Sequence, residues 1–362
     1  MLNSISLKNF TAFEEAELNF ANGLNVIVGA NGTGKTHLLK LAYACTYVCN
    51  EGVKSSVATS PIVPYLQSAI AAKLVSVFKP DELGRLARRN RRGRQRADVA
   101  CVFSDNQRLT FSFSTASTNE VAIEKTSGRW LDKLPVYLPT RELLTIYPGF
   151  VSLYETTHLQ FDETWRDTCI LLGAPLARGP REARIKELLV PLEEAMGGKV
   201  ELTDAGGFYL NVNGVRMEMH LVAEGLRKLA MIARLIATGS LVDKGYLFWD
   251  EPEANLNPKV IKSIAKTILQ IARGGVQVFI ATHSLFLLRE LHILHAREFA
   301  ETRVRCFGLH ADADGGVVVQ QGDSMDEIGN ITALDEDLQQ SDRYIDTEMG
   351  VQDSALMSPD EG

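Results

Sequence analysis

The feature that most narrows the fold is GANGTGKT at residues 29–36, which follows the apolar run Val26, Ile27, Val28 and precedes a helical stretch over 37–48. Strand, glycine loop and helix in that order fit the pattern G-x-x-x-x-G-K-[ST] in the setting it requires. Glycines let successive backbone N–H groups wrap a phosphate chain, and the helix start behind them favours an anion. Asn31, Gly32, Thr33, Gly34, Lys35, Thr36 and His37 are therefore the expected nucleotide-binding residues. Lys35 is placed to reach the β and γ phosphates of ATP, and the Thr36 hydroxyl to ligate Mg²⁺.

A second apolar run, 246–249, ends in Asp250, Glu251 and Pro252. Neighbouring side chains on a strand point apart, so one carboxylate is available for the metal and the other for water. Asp250 is expected in the Mg²⁺ shell and Glu251 as the hydrolytic base. Helix over 258–271, strand over 276–280 and helix over 285–294 follow, the alternation of a parallel sheet. Strands over 2–7, 24–28, 98–104, 108–114, 121–125 and 135–139 and a hairpin pairing 199–202 with 208–212 complete the reading, the middle three of the longer series as an antiparallel meander. The predicted class is α/β, a P-loop NTPase with an antiparallel β meander and an inserted helical segment. The expected head takes 1–50 and 99–140 as its N-terminal part and 226–325 as its C-terminal lobe. Between them lie a basic inserted segment, 51–98, and a mostly helical middle, 141–225; an acidic, partly flexible tail covers 326–362.

Composition adds limits. A 45% hydrophobic chain of 362 residues can build a sizeable core. A net charge of -7 argues against a surface that coats nucleic acid everywhere. One basic patch stands out: residues 79–96 carry eight basic side chains against two acidic, and Arg88, Arg89, Arg91, Arg92, Arg94 and Arg96 crowd its end. That patch suits nucleic-acid phosphates, a protein partner or simply a solvated loop, and the aromatic residues expected for stacking single strands are missing. Five scattered cysteines and a start without a basic, then apolar, leader predict a reducing cytoplasm. No uninterrupted apolar run is long enough to predict a membrane span.

With these residues in place the chain resembles the ATP-binding-cassette class, and within it the ATPase heads of the structural-maintenance-of-chromosomes (SMC), RecF and overcoming-lysogenisation-defect groups. SLKNF at 6–10 looks like the L-x-N-F start of those heads, EANLNP at 253–258 like their D-loop, and ATHS at 281–284 like their switch histidine. The resemblance implies that His283 reports the γ-phosphate and that Asn257 contacts nucleotide. It also implies that Gly225 belongs to the signature element, which addresses the nucleotide of a second copy. Here the sequence departs from the class: where L-S-G-G is usual, Ala223 and Glu224 precede Gly225, and a carboxylate at a phosphate-facing helix start repels. The Asp312-Ala-Asp314 pair reads as a hairpin turn and not as part of an appended nuclease. The implied function is an ATP-hydrolysing switch, the regulatory subunit of a bacterial antiviral defence or DNA-surveillance complex with a separate effector. A RecF-like DNA-repair ATPase and an ATP-binding interaction module with little turnover are the alternatives.

Overall fold

The computed structural model describes residues 1–51, 60–89, 93–157, 159–179, 182–242, 245–312 and 315–356. Its centre is a mixed sheet of β3 (Leu24–Gly29), β7 (Pro135–Leu138), β11 (Tyr246–Asp250), β12 (Gln277–Thr282), β13 (Val304–Ala311) and β14 (Val317–Gly322). The spatial order is β14-β13-β3-β12-β11-β7, and every neighbouring pair except β13 with β14 is parallel. Side-chain alternation divides two cores across this sheet. Leu24, Val26, Val28, Leu247 and Trp249 enter one core, while Ile27, Tyr246 and Phe248 enter the other. Parallel strands covered on both faces have this apolar character throughout.

The second core is closed by helix α1 (Lys35–Glu51), helix α2 (Val63–Phe78) and an antiparallel sheet. That sheet has the order β2-β1-β4-β5-β6 and contains β1 (Leu2–Phe10), β2 (Phe13–Asn19), β4 (Arg96–Phe103), β5 (Arg108–Ser114) and β6 (Ala122–Lys125). Gln277, fully buried, accepts from the Leu2 N–H (2.9 Å) and donates to the carbonyls of Leu2 (2.7 Å) and Ala21 (2.9 Å). One amide side chain thus locks the antiparallel sheet to the parallel one.

The segment 51–98 is not one insertion standing apart. Helix α2 buries Leu66, Ile70 and Leu74 against α1, because its apolar face completes the second core, and β4 begins inside the segment at Arg96. Lys73 of α2 binds Asp167 (2.7 Å) and Glu163 (3.1 Å) of helix α4 (Glu163–Leu172), and Lys40 of α1 binds Asp162 (2.9 Å). The helical middle, which includes α3 (Tyr147–Thr156), α4 and α5 (Glu182–Met196), is thereby docked on the helix behind the glycine loop. It continues into a small sheet of β8 (Lys199–Leu202), β9 (Phe208–Val212) and β10 (Val215–Glu218), then helix α6 (Glu224–Ala237).

After β11 come α7 (Pro258–Arg273), β12, α8 (Leu285–Glu298) and the β13–β14 hairpin. The hairpin turn at Asp312, whose N–H donates to the Gly316 carbonyl (2.8 Å), has the form expected for the Asp312 motif; Asp314 lies outside the described residues. Within 326–362, Thr332–Leu356 forms helix α9, so much of the tail is helical and not extended chain. Among the described residues no helix is long and apolar enough to cross a membrane.

Candidate functional site

The chemistry gathers at the carboxyl ends of β3, β11 and β12, the edge where open α/β sheets bind ligands. After β3 the chain turns through Gly32 (φ 84°) and Gly34 (φ 90°), left-handed conformations that glycine adopts at no steric cost. At Gly34 a β carbon would also press the Phe13 ring at 3.0 Å, so the loop is moulded against the start of β2. Lys35 is 6% exposed, and its ammonium donates to the Gly29 (2.7 Å) and Ala30 (3.0 Å) carbonyls inside the loop. Burial pulls its pKa down, opposed by Glu251, Asp250 and Glu253. Thr33 braces the loop by donating to the Ala30 carbonyl (2.9 Å), whereas Asn31 and Gly32 are exposed at its tip. His37 is exposed on α1 with its ring centroid 5.6 Å from that of Phe78, so it leans on α2.

Thr36 and Asp250, 214 residues apart, meet directly: the Thr36 hydroxyl donates to Asp250 Oδ2 at 2.8 Å. Asp250 Oδ1 is buried and has no hydrogen-bond partner, an arrangement that costs free energy unless something else satisfies it. Burial raises the Asp250 pKa and the Thr36 hydroxyl lowers it. A hydroxyl beside an unsatisfied carboxylate oxygen fits Mg²⁺, which takes few protein ligands and completes its shell with substrate phosphates and water.

Glu251 corrects the expectation drawn from strand alternation. Strand β11 ends at Asp250, and Glu251 is left-handed (φ 47°), so a backbone turn and not strand pleat sends its carboxylate elsewhere. Glu251 Oε1 lies 3.2 Å from His283 Nδ1, at the end of β12. Ser284, the next residue, caps α8 by accepting from the Leu287 N–H (3.2 Å). His283, Asn31, Gly29 and Ala30 also line one cavity of about 180 Å³ together with His310 and Glu336.

Two expected residues, Asn257 and Gly225, also make contacts within the fold. Asn257 accepts from the Val260 N–H (3.0 Å) as the N-cap of α7, so its carboxamide oxygen is committed to the helix end. Ala223 caps α6 with no side-chain bond, and Glu224 accepts from Asn255 Nδ2 (2.8 Å), turning toward the 251–255 turn. Gly225 packs on the same turn; a β carbon there would meet the Asn255 carbonyl at 3.3 Å.

Three residues were not anticipated. Glu253 is buried and accepts from the Thr282 hydroxyl (2.6 Å), with burial raising its pKa. Thr282 in turn accepts from the Ser284 N–H (3.0 Å), which connects the turn after β11 to the end of β12. Lys228 of α6 is buried, with its ammonium on the Glu251 and Ala254 carbonyls. A lysine amid the apolar stripe of α6 was the only signal available in sequence.

In the basic patch, Arg88 donates to the Ala12 carbonyl (2.8 Å) and Arg96 pairs with Asp98 (2.7 Å) and Glu124. Arg89 and Arg94 are exposed, and Arg91 and Arg92 lie outside the described residues.

The AAA_21 family model, described as "AAA domain, putative AbiEii toxin, Type IV TA system", matches residues 24–289. Over 42 residues, 12% of the chain, the sequence is 45% identical to the DNA replication and repair protein RecF of Streptococcus gordonii and covers 12% of that protein. The RecF of Oenococcus oeni is 43% identical over 42 residues, 11% of its length. The match therefore spans only about an eighth of those relatives. Among solved structures, the SMC head bound to the C-terminal winged-helix domain of ScpA superposes with a TM-score of 0.55 at 14% identity. That superposition covers 90% of this chain and 98% of the other, and it establishes the shared fold.

Proposed function

The chain belongs to the AAA_21 family of P-loop ATPases, and on that premise we propose that it binds Mg²⁺-ATP at Lys35, Thr36 and Asp250 and hydrolyses it with Glu251 as general base. One observation carries the reading: of two consecutive carboxylates, Asp250 meets the Thr36 hydroxyl of the glycine loop at 2.8 Å and Glu251 meets His283 at 3.2 Å. Thr36 and Asp250 would hold Mg²⁺, which would supply neutralisation of charge on the phosphates. Lys35 supplies a fixed positive charge among the loop N–H donors. Glu251 accepts the proton of the attacking water, and His283, within 3.2 Å of it, orients that carboxylate and stands where it senses the γ-phosphate. Phosphate release from ATP, measured with Mg²⁺ and with EDTA, tests the proposal. Metal-dependent turnover supports it, while nucleotide binding with negligible phosphate release makes the chain an interaction module instead.

Two copies are proposed to sandwich ATP, with the α6 start of each facing the nucleotide of the other. Nucleotide-dependent assembly suits a cytoplasmic switch, the regulatory subunit of an antiviral defence or DNA-surveillance complex that acts through a separate effector. The family description, which refers to a toxin of type IV toxin–antitoxin systems, favours the defence role. The short RecF match favours a second reading, a DNA-repair ATPase that binds DNA itself. Replacing Arg89, Arg91, Arg92 and Arg94 by serine separates them. ATP hydrolysis is expected to stay within about twofold of wild type, because none of these residues belongs to a nucleotide motif of the sequence, whereas DNA, RNA or protein capture weakens. Salt-dependent DNA retention lost in this variant selects the repair reading; collapse of turnover makes the patch part of the head.

A further inference from the structure

We infer that Lys228 is a positioning residue for hydrolysis: it couples the first turns of α6 to the backbone that aims Glu251. This rests on Glu251 being the base. Lys228 is 2% exposed, and among the described residues its ammonium forms no ion pair. It donates instead to two carbonyl oxygens, those of Glu251 (2.8 Å) and Ala254 (3.3 Å). Burying an ammonium is expensive, and burial does push this one's pKa down to about 8, against the pull of Glu253, Glu251, Asp250 and Glu224.

The carbonyls it holds belong to a strained turn. Glu251 (φ 47°) and Asn255 (φ 62°) are both left-handed; asparagine adopts that conformation readily, whereas glutamate does so only when its surroundings impose it. Glu251 is held from two sides: its N–H donates to the Ala281 carbonyl of β12 (2.9 Å), and its carbonyl accepts from Lys228. Asn255 is held by Glu224, one turn before Lys228 on the same helix (2.8 Å). Both left-handed residues are therefore tied to α6. Rotation about Glu251 φ and ψ sets where its carboxylate points, so the 3.2 Å approach to His283 depends on where α6 lies. A displacement of the α6 start, which carries Ala223, Glu224 and Gly225, reaches the base through two hydrogen-bonded ties and not through the phosphate loop.

The test is a split between turnover and binding. Lys228→Met keeps the stem and removes the ammonium, and it is expected to lower kcat about tenfold or more while the Kd for ATP stays within about twofold. Lys228→Arg restores donors to the turn and is expected to recover part of the loss. Asn255→Asp, an exposed change that tolerates the left-handed backbone, sets a carboxylate against Glu224 and is expected to lower kcat about threefold to tenfold, again at constant ATP affinity. If Lys228→Met does not fold, Asn255→Asp alone decides. Wild-type kcat in these variants, or ATP affinity falling in step with kcat, overturns the inference. Glu251→Gln run alongside separates the two levels: normal turnover in it removes the base assignment, whereas a slow Glu251→Gln beside an unimpaired Lys228→Met removes the coupling alone.

Discussion

Lys35→Ala is expected to weaken ATP binding by about 30-fold to several thousandfold while leaving the chain folded. Lys35 is largely buried, its ammonium sits among the loop carbonyls, and it is the only cation placed inside the loop among the described residues. Hydrogen bonds from an ionised donor to an anion are about twice as strong as neutral ones, and a low-dielectric site weakens screening further. Truncating one partner of a buried charged pair costs about 2–5 kcal/mol, a loss of about 30-fold to several thousandfold in affinity. The fold should tolerate the change, because Lys35 contributes polar contacts and not core volume, and because Leu38, Leu39 and Leu41 anchor α1 independently. Nucleotide titration beside thermal unfolding checks both halves. Wild-type affinity in the variant would remove the phosphate-loop assignment, and joint loss of binding and of cooperative unfolding would assign Lys35 to the scaffold.

How far the sequence reaches depends on how local the signal is. The glycine loop, the apolar strand before Asp250 and the hairpin of 199–202 with 208–212 are each written within about fifteen residues, and each is legible in the sequence. Strand β2 was missed because Glu14, Glu15 and Glu17 occupy its solvent side and hide a buried row of Phe13, Ala16 and Leu18. Strand β10 is exposed along its whole length, so it carries no alternation to read. Helix α2 lies in a proline-broken segment, and only its packing on α1 reveals a core element. The site divides in the same way. Lys35, Thr36, Asp250 and Glu251 come from motifs, but the left-handed turn at Glu251 and the ties from Lys228 and Glu224 join segments more than twenty residues apart. Asn257 shows the converse: a residue placed by motif also caps a helix through its carboxamide oxygen, which leaves its amide N–H groups for other partners.

Glu251→Gln is expected to give a protein that binds Mg²⁺-ATP normally, hydrolyses it about 10²- to 10⁴-fold more slowly and accumulates in its ATP-bound form. The amide is close in shape to the carboxylate and its backbone ties are unchanged, because the Glu251 N–H and carbonyl, not its side chain, hold the turn to β12 and α6. Asp250 keeps its contact with Thr36, so the metal donors survive. What disappears is the acceptor for the proton of water, a loss equivalent to about 3–5 kcal/mol in the barrier. If two copies close on ATP through the α6 start, slow hydrolysis traps the closed state, since ligand shifts an equilibrium only by its differential affinity for the two forms. Sedimentation with and without Mg²⁺-ATP should then show the variant shifted to a larger species. Near-normal hydrolysis would move the base elsewhere. A slow variant that binds ATP yet keeps its mass would leave the base in place. It would mean that Ala223 and Glu224, the latter drawn toward Asn255, have disabled contact with a second nucleotide, or that assembly precedes ATP.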